Sequence, residues 1–484
     1  MLETLYEHSR PGERALRFPK AQMAPAEKIS SKLLRRQPAR LPEVTELDAV
    51  RHFTLASQLN YSVDTQFYPL GSCTMKYNPK ACFRLAAHPA MSPNHPLLPA
   101  WALQGTLEAL ANLERGLCDL TGMEAISLAP AAGAHAEMVG ILVANAYFQD
   151  QGLSGERRKI IIPDSAHGTN PASAVLGGFE VVSIESNERG RINVAALKKI
   201  LDHTTALIMI TVPNTLGLFE DEILEVSRLA HQAGALMFMD GANMNALMGV
   251  IKPASLGFDM MHLNLHKTFS VPHGGGGPGA GALLTRRPLE NYLPVPRIEK
   301  KGKEWQILNS HPKSIGRIRA FHGSTGNLLW ACAYLALLGK EGVADASRLA
   351  ILNANYLRKL LTEAGLVPYR DEPCMHEAVF TLDPKKLNGV RTLDLAKRLL
   401  DFGFYAPTVY FPLIVPEAIM AEPTETESAE TLERFAETVG KILEEARTQP
   451  ETVKQAPHAL PVRRLDDVAA ARTPILRWSP ESKL

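Results

Sequence analysis

The run Met260-Met261-His262-Leu263-Asn264-Leu265-His266-Lys267-Thr268-Phe269, followed by Pro272-His273-Gly274-Gly275-Gly276-Gly277-Pro278-Gly279, sets the reading of this chain. Met260 to Leu265 reads as a short buried strand. A lysine emerges from it beside a histidine and ahead of a glycine-rich loop. Lysine is seldom fully buried without a partner. Its amine can bond covalently to an aldehyde cofactor, and a low local dielectric lowers its pKa for that role. A surface lysine at a strand end, followed by a bare glycine turn, fits the same stretch. Its surroundings decide between the two.

Moving outward, apolar strands alternate with amphipathic helices. Lys159–Pro163, Phe179–Ile184, Ala206–Val212, Ala235–Asp240, Phe258–His266 and Ala280–Leu284 are predicted strands. Gln104–Thr121, a segment from Gly133 to about Phe148, Val194–Leu201 and Asp221–Ala233 are predicted helices. Leu107, Leu110, Leu113, Leu117 and Leu120 make one apolar stripe on the first of these. Such alternation implies a largely parallel sheet covered by helices. Ligands of such sheets bind outside the carboxyl ends of the strands. Asp164, His167, Thr211, Asn214, Asp240, His266 and Lys267 all fall at or just beyond those ends.

Within that group Asp240 follows the apolar run Leu236-Met237-Phe238-Met239, where a carboxylate needs a partner. The partner can be a structural cation or helix cap, or the protonated ring nitrogen of pyridoxal phosphate, whose electron-sink character depends on that proton. His167 supplies a flat ring that could stack on a cofactor, although a lone histidine more often has a structural role. The small residues of Leu128-Ala129-Pro130-Ala131-Ala132-Gly133-Ala134-His135-Ala136-Glu137 precede a helix. That arrangement lets backbone N–H groups face a phosphate, and it also serves plain close packing. In the loop Gln66–Pro79, Ser72, Thr74 and Lys76 could present donors to an anion, or simply pack.

The flanks are different in character. Residues 1–60 are rich in Pro, Arg and Glu, with one helical stretch from Glu46 to Leu59, and read as an arm rather than a domain. Residues 61–327 form the large domain, and 328–450 a smaller α+β domain with helices at Leu328–Gly339, Val343–Ala364, Leu393–Phe402 and Glu427–Arg447 and a strand at Val379–Leu382. Residues 451–484 form a tail. With 52 basic and 51 acidic residues in 484, the chain has no electrostatic footprint for nucleic acid or an anionic membrane. Its five cysteines, Cys73, Cys82, Cys118, Cys332 and Cys374, form no CxxC pair, so no metal site is expected and a reducing cytoplasm fits. The N-terminus has no apolar core of a signal peptide, and no apolar stretch approaches a membrane span.

Several longer motifs match one family. Ser9-Arg10-Pro11-Gly12, Tyr68-Pro69-Leu70-Gly71-Ser72-Cys73-Thr74-Met75-Lys76, Pro163-Asp164-Ser165-Ala166-His167-Gly168-Thr169-Asn170-Pro171-Ala172-Ser173 and Asn214-Thr215-Leu216-Gly217 lie in the first half. The opening stretch, Ser314-Ile315-Gly316-Arg317, Glu422-Pro423-Thr424-Glu425-Thr426-Glu427 and Pro461-Val462-Arg463-Arg464 continue the match. The chain resembles, end to end, the glycine decarboxylase P-protein of the glycine cleavage system, and within it the second subunit of the split bacterial form. The resemblance implies an α/β, fold-type I pyridoxal phosphate enzyme: a large domain with a mainly parallel seven-stranded sheet, plus a smaller α+β C-terminal domain.

It further implies Lys267 as the Schiff-base lysine, Asp240 at the pyridine nitrogen and His167 on the ring face. His266 resembles a phosphate-touching residue of related decarboxylases, and Thr211, Ala242, Gly133, Ala134 and His135 complete the expected cofactor contacts. Ser72, Cys73 and Thr74 match the active-site loop. Ala132 departs from the family, which often has a serine there, so the phosphate must lean on backbone N–H groups, His266 or a neighbouring subunit. The implied reaction is decarboxylation of glycine with transfer of its aminomethyl group to the lipoyl arm of the H carrier protein. The implied partner is the first subunit, in a heterodimer that is itself doubled. A different lysine-bound pyridoxal phosphate decarboxylase or lyase is the alternative enzyme. A silent scaffold would lack the lysine, and a nucleotide site at Gly274–Gly279 lacks the Gly-Lys-Ser/Thr ending of a P-loop. The four glycines read instead as packing and turn residues that let the lysine loop lie close to the cofactor.

Overall fold

The computed structural model describes residues 2–17, 19, 30–37, 39–91, 94–272 and 279–477. The glycine run Gly274–Gly277 and Trp478 in the tail lie outside the described residues. Residues Met1–Thr65 with Ala459–Leu484 make one compact unit, and Gln66–His458 the other.

In the first unit, Ser9-Arg10-Pro11-Gly12 wraps around Glu43. The Arg10 N–H donates to the Glu43 carbonyl at 2.8 Å, and the Gly12 N–H to Glu43 Oε2 at 2.6 Å. The predicted arm helix is present at Glu46–Gln58, started by Thr45, whose hydroxyl accepts from the Asp48 N–H at 3.1 Å.

The second unit is built on a seven-stranded sheet. In chain order its strands are β1 (Ala125–Ser127), β2 (Lys159–Pro163), β3 (Glu180–Ile184), β4 (Thr205–Thr211), β5 (Leu236–Asp240), β6 (Met260–Asn264) and β7 (Gly281–Thr285). They lie in the order β1-β7-β6-β5-β4-β2-β3. Pairing is parallel from β6 through β5, β4 and β2 to β3, while β7 runs antiparallel to both β6 and β1. Five of these strands fall within a residue or two of their predicted bounds, and β6 is the core of the predicted Phe258–His266.

Because successive side chains point to opposite faces, each apolar strand feeds two cores. Ile161, Ile208, Ile210, Met237 and Met239 pack on one face with Leu110, Leu113 and Leu117 of the Gln104–Thr121 helix. Ile160, Ile162, Leu207, Met209 and Phe238 pack on the other with Val139, Ile141, Val143 and Phe148 of the Gly133–Asp150 helix. Every residue of β4 is buried, as a central parallel strand covered on both faces must be.

A hairpin of β8 (Arg297–Lys301) and β9 (Glu304–Leu308) follows. The helix Thr325–Glu363 comes next. The sequence reads it as two helices, and the backbone breaks at Gly339 (φ 62°, ψ −174°). Beyond it β10 (Val367–Pro368), β11 (Ala378–Thr381), β12 (Thr408–Val409) and β13 (Ile419–Ala421) form an antiparallel sheet in the order β10-β11-β13-β12. Leu395 and Leu399 of the Thr392–Asp401 helix and Leu432, Phe435 and Val439 of the Ala429–Thr448 helix cover it. Among the described residues no helix is long and apolar enough to cross a membrane.

The two sheets meet at Gly217, which ends the Asn214-Thr215-Leu216-Gly217 motif. Its φ is +74°, its carbonyl accepts from the Met375 N–H at 2.7 Å, and a Cβ there would lie 2.1 Å from the Glu377 carbonyl oxygen. Gly217→Ala therefore incurs the left-handed penalty of ~1–2 kcal/mol and an overpacking cost of ~1–3 kcal/mol. Thermal unfolding of the variant should show a clearly lowered midpoint; an unchanged midpoint would contradict the contact.

Candidate active site

Parallel register places three polar groups side by side. Thr211 is the partner of Asp240 across β4 and β5, and Asp240 is the partner of His262 across β5 and β6. Asp240 is only 2% exposed. Its Oδ1 accepts from the Ala242 N–H at 2.9 Å and lies 3.1 Å from His262 Nε2. Its Oδ2 accepts from Asn170 Nδ2 at 3.2 Å and Thr211 Oγ1 at 3.3 Å, both at the long end of the range. Burial alone would push this carboxyl up. The charge and hydrogen bond of His262, the Ala242 N–H and the Lys267 charge outweigh it and hold Asp240 below the usual carboxylate range. Burial likewise works against a charged His262, and Asp240 overrides it, raising the imidazole.

Lys267 leaves the end of β6 and its Nζ donates to the Ser72 carbonyl at 2.9 Å. Ser72 holds a left-handed backbone, φ 60°. A small cavity of about 80 Å³ opens here. Ser72, Ala134, His167, Thr211, Asp240, Ala242 and Lys267 line it, together with Glu137, Thr169, Thr215, Asn243 and Asn264. His167 Nδ1 is 2.9 Å from Thr169 Oγ1, whose hydroxyl donates to Glu137 Oε1 at 3.1 Å. That chain fixes the His167 ring, and burial followed by the Lys267 charge lowers its pKa.

The Gly133–Asp150 helix starts at this cavity. Its N-cap, Ala132, is extended and gives no side-chain cap, so the first-turn N–H groups and the positive dipole end are left for an anion. Gly133 is required by close approach, since a Cβ would lie 2.1 Å from the Asn264 side chain. These features fit pyridoxal phosphate: an ionised buried carboxylate with a weakly bonded oxygen, a lysine amine in the same cavity and an uncapped helix start.

Other expected residues sit differently. Gly133, His135, His266, Cys73 and Thr74 are not among the residues lining the cavity. His135 Nδ1 accepts from the Ala131 N–H at 3.1 Å, and His266 Nδ1 lies 3.1 Å from the Ala280 carbonyl oxygen. Of the two readings of Lys76, anion donor or packing residue, the structure has the second: it is buried, and its Nζ bonds Glu425 Oε1 at 2.7 Å and Asn245 Oδ1 at 2.6 Å. Asp164 accepts from Ser186, and Asn214 organises its own turn by accepting from Leu216 and Leu218, so neither strand-end residue reaches the cavity. Sequence reasoning assigned no role to Glu137, Asn170 or His262. His262 lies in the opening stretch, five positions before Lys267, and its inward alternation with Met261 and Leu263 was the available signal.

A second polar cluster lies behind Ser72. His376, Glu377 and Glu422 are each fully buried, and one ligating atom from each falls within 4.8 Å of the others. Glu377 Oε2 accepts from the Ser72 N–H at 2.7 Å. Burial, then the Lys267 charge, drives the His376 imidazole down to about 3.

The family description "Glycine dehydrogenase, C-terminal domain" matches residues 346–461, and "Aminotransferase class-V" matches residues 140–309. The protein named "Probable glycine dehydrogenase (decarboxylating) subunit 2" of Caldanaerobacter subterraneus subsp. tengcongensis is 50% identical over 98% of this chain and 98% of its own length. The identically named protein of Thermotoga maritima is 48% identical over 98% of this chain and 99% of its own. Among solved structures, the glycine decarboxylase (P-protein) of the glycine cleavage system in inhibitor-bound form superposes with a TM-score of 0.73 at 22% identity, over 86% of this chain and 93% of that one. The apo cysteine desulfurase of Thermococcus onnurineus gives 0.59 at 16% identity, over 76% and 92%. The fold is thus the α/β fold-type I architecture of pyridoxal phosphate enzymes.

A histidine kept neutral in the folded state opposes stability in acid. Below about 6.5 the unfolded chain takes up a proton that folded His376 refuses until about 3, so stability falls as pH drops through that window. His376→Gln removes this contribution. Its melting midpoint should fall less than wild type between about pH 6 and about pH 4. Equal losses in the two proteins would refute the assignment.

Proposed function

This chain belongs to the glycine dehydrogenase (decarboxylating) subunit 2 family, and from that premise we propose how its residues carry the reaction. It is a pyridoxal phosphate-dependent enzyme that decarboxylates glycine, and as a subunit 2 it works with a partner subunit. In the finer reading, Lys267 bears the cofactor covalently and the glycine aminomethyl group passes to the lipoyl arm of the H carrier protein. The assembly is a heterodimer with subunit 1, itself doubled. The compartment is the cytoplasm, which suits five free cysteines. The chain is read as an arm (1–60), a large cofactor domain (61–327), a small α+β domain (328–450) and a tail (451–484).

The observation that carries this reading is the single cavity shared by Lys267, Asp240 and His167. Pyridoxal phosphate, when bound, supplies the electron sink that lets the bond between the glycine α-carbon and its carboxylate break. The chain supplies orientation and charge. Asp240, kept ionised by His262 and Ala242, would hold a proton at the pyridine nitrogen. His167, fixed through Thr169 and Glu137, would present its ring to the cofactor face. Thr211 and Ala242 hold the Asp240 carboxylate, and the first-turn N–H groups at Gly133, Ala134 and His135 would take the phosphate in place of a hydroxyl at Ala132. His266, Cys73 and Thr74 sit close by in sequence to cavity residues and are assigned supporting roles in the phosphate site and the substrate loop. In the overall reaction carbon dioxide leaves, the freed electron pair forms a carbon–sulfur bond, the lipoyl disulfide opens and its second sulfur takes a proton. The alternative, another amino-acid decarboxylase or lyase of the same fold, is disfavoured by the near-full-length identity to the subunit 2 proteins.

Two measurements test this. With subunit 1 and lipoylated carrier present, the chain should exchange labelled bicarbonate into the glycine carboxyl, and absence of exchange would sink the glycine reading. Borohydride reduction should fix the cofactor to the peptide containing Lys267. Asp240→Asn should keep that lysine adduct while lowering exchange by ~10²–10³-fold; unimpaired exchange would remove Asp240 from its role.

A further inference from the structure

The cluster behind Ser72 has no place in the chemistry above. Antiparallel register pairs Ala378 of β11 with Ala421 of β13, so the next residues outward, Glu377 and Glu422, face each other at the end of the ladder. Both are fully buried. Like charges directly opposite on a sheet repel, and two carboxylates out of water cannot both stay ionised without a cation. Lys76 is paired with Glu425, and the Lys267 ammonium, hydrogen-bonded to the Ser72 carbonyl, offsets part of the charge of both carboxyls without neutralising the pair. His376, packed in the same cluster, has neither ring nitrogen hydrogen-bonded among the described residues. Cys73, the remaining titratable group here, is a thiol pushed up by burial.

The hydrogen bonds say where a proton can sit. Glu377 Oε2 accepts the Ser72 N–H at 2.7 Å, a charge-assisted bond that needs an unprotonated oxygen. Glu377 Oε1 is buried without a hydrogen-bond partner among the described residues, and the buried Glu422 carboxyl has the Thr74 hydroxyl beside it. We infer that Glu377 and Glu422 share one proton through these oxygens, and that the pair, through the Ser72 turn, positions Lys267. Burial raises both carboxyls, Glu377 to about 7 and Glu422 well above its ordinary value with Glu377 adding to the effect, as a proton-sharing pair requires.

The clamp acts on a strained residue. Ser72 at φ 60° is held from both sides, its N–H by Glu377 and its carbonyl by Lys267. A second proton would discharge Glu377 Oε2 and weaken the grip, and loss of the shared proton would set two bare carboxylates against each other. The clamp therefore holds best with one proton on the pair. Glu377 and Glu422 are positioning residues, and their effect on catalysis rests on the reading of Lys267 as the cofactor-bearing lysine.

Infrared difference spectroscopy on the full chain assembled with its partner subunit, with and without pyridoxal phosphate, tests the shared proton. A carbonyl stretch from a protonated, water-excluded carboxyl is expected at neutral pH in wild type and lost in both Glu377→Gln and Glu422→Gln. In the cofactor-loaded protein, the pH midpoint of the Lys267 adduct absorbance should shift by a unit or more in either variant. Absence of the stretch in wild type would overturn the proposal even if neither variant folds. So would an unmoved midpoint, or one divalent metal ion per chain that is released by Glu422→Gln. The infrared band is read without cofactor, so failure of borohydride to label Lys267 is a separate result that leaves the shared proton standing.

Discussion

A carboxylate held ionised at 2% exposure is the constraint on which the site depends. Asp240 cannot be tolerated there alone. Its charge is balanced by His262 on one neighbouring strand, and its oxygens are occupied by Thr211 on the other, by Asn170 and by the Ala242 N–H. The apolar faces of β4, β5 and β6 create a low dielectric around it, which strengthens each of these contacts. The same environment makes the carboxylate useful, because a cation arriving in the cavity meets a charge that water does not screen.

How much of this was legible in the sequence follows from the range of each interaction. The parallel sheet was readable because its strands are continuous apolar runs separated by helices with clear stripes, as in Thr205–Thr211 and Gln104–Thr121. The strand ends were readable as a place, so Lys267, Asp240, Thr211 and His167 could be grouped. What each end residue does was less legible. Asn214 and Asp164 look the same as Asp240 in one dimension, yet their side chains are consumed by local turns. The choice between donor and packing residue stayed open for Lys76 because its partner, Glu425, lies more than three hundred positions away, beyond any periodicity. The hairpin β8–β9, with its run of charged residues, carries no apolar pattern long enough to announce a strand.

The second carboxyl cluster illustrates the same limit. Glu377 and Glu422 are unremarkable glutamates in sequence, each next to a short strand. Only the register of β11 and β13 sets them face to face, and only the loop around Ser72 connects them to the lysine. The small antiparallel sheet thus does more than cover a core. It brings groups distant in the chain up against the end of β6, and Gly217 lets the two sheets close tightly enough for that contact.

The alignment of Thr211, Asp240 and His262 across three adjacent strands also bears on how such a chain can change in length over generations. A single residue gained or lost inside any of the three would turn its side chains to the opposite face and separate the trio. The helix after β2 is tied to the trio as well, through Asn170 and Asp240, so the freer connections are the turns at the far edge of the sheet. Insertions and deletions in descendants of this chain should therefore gather in those connections, while β4, β5 and β6 keep their lengths as a single inherited block.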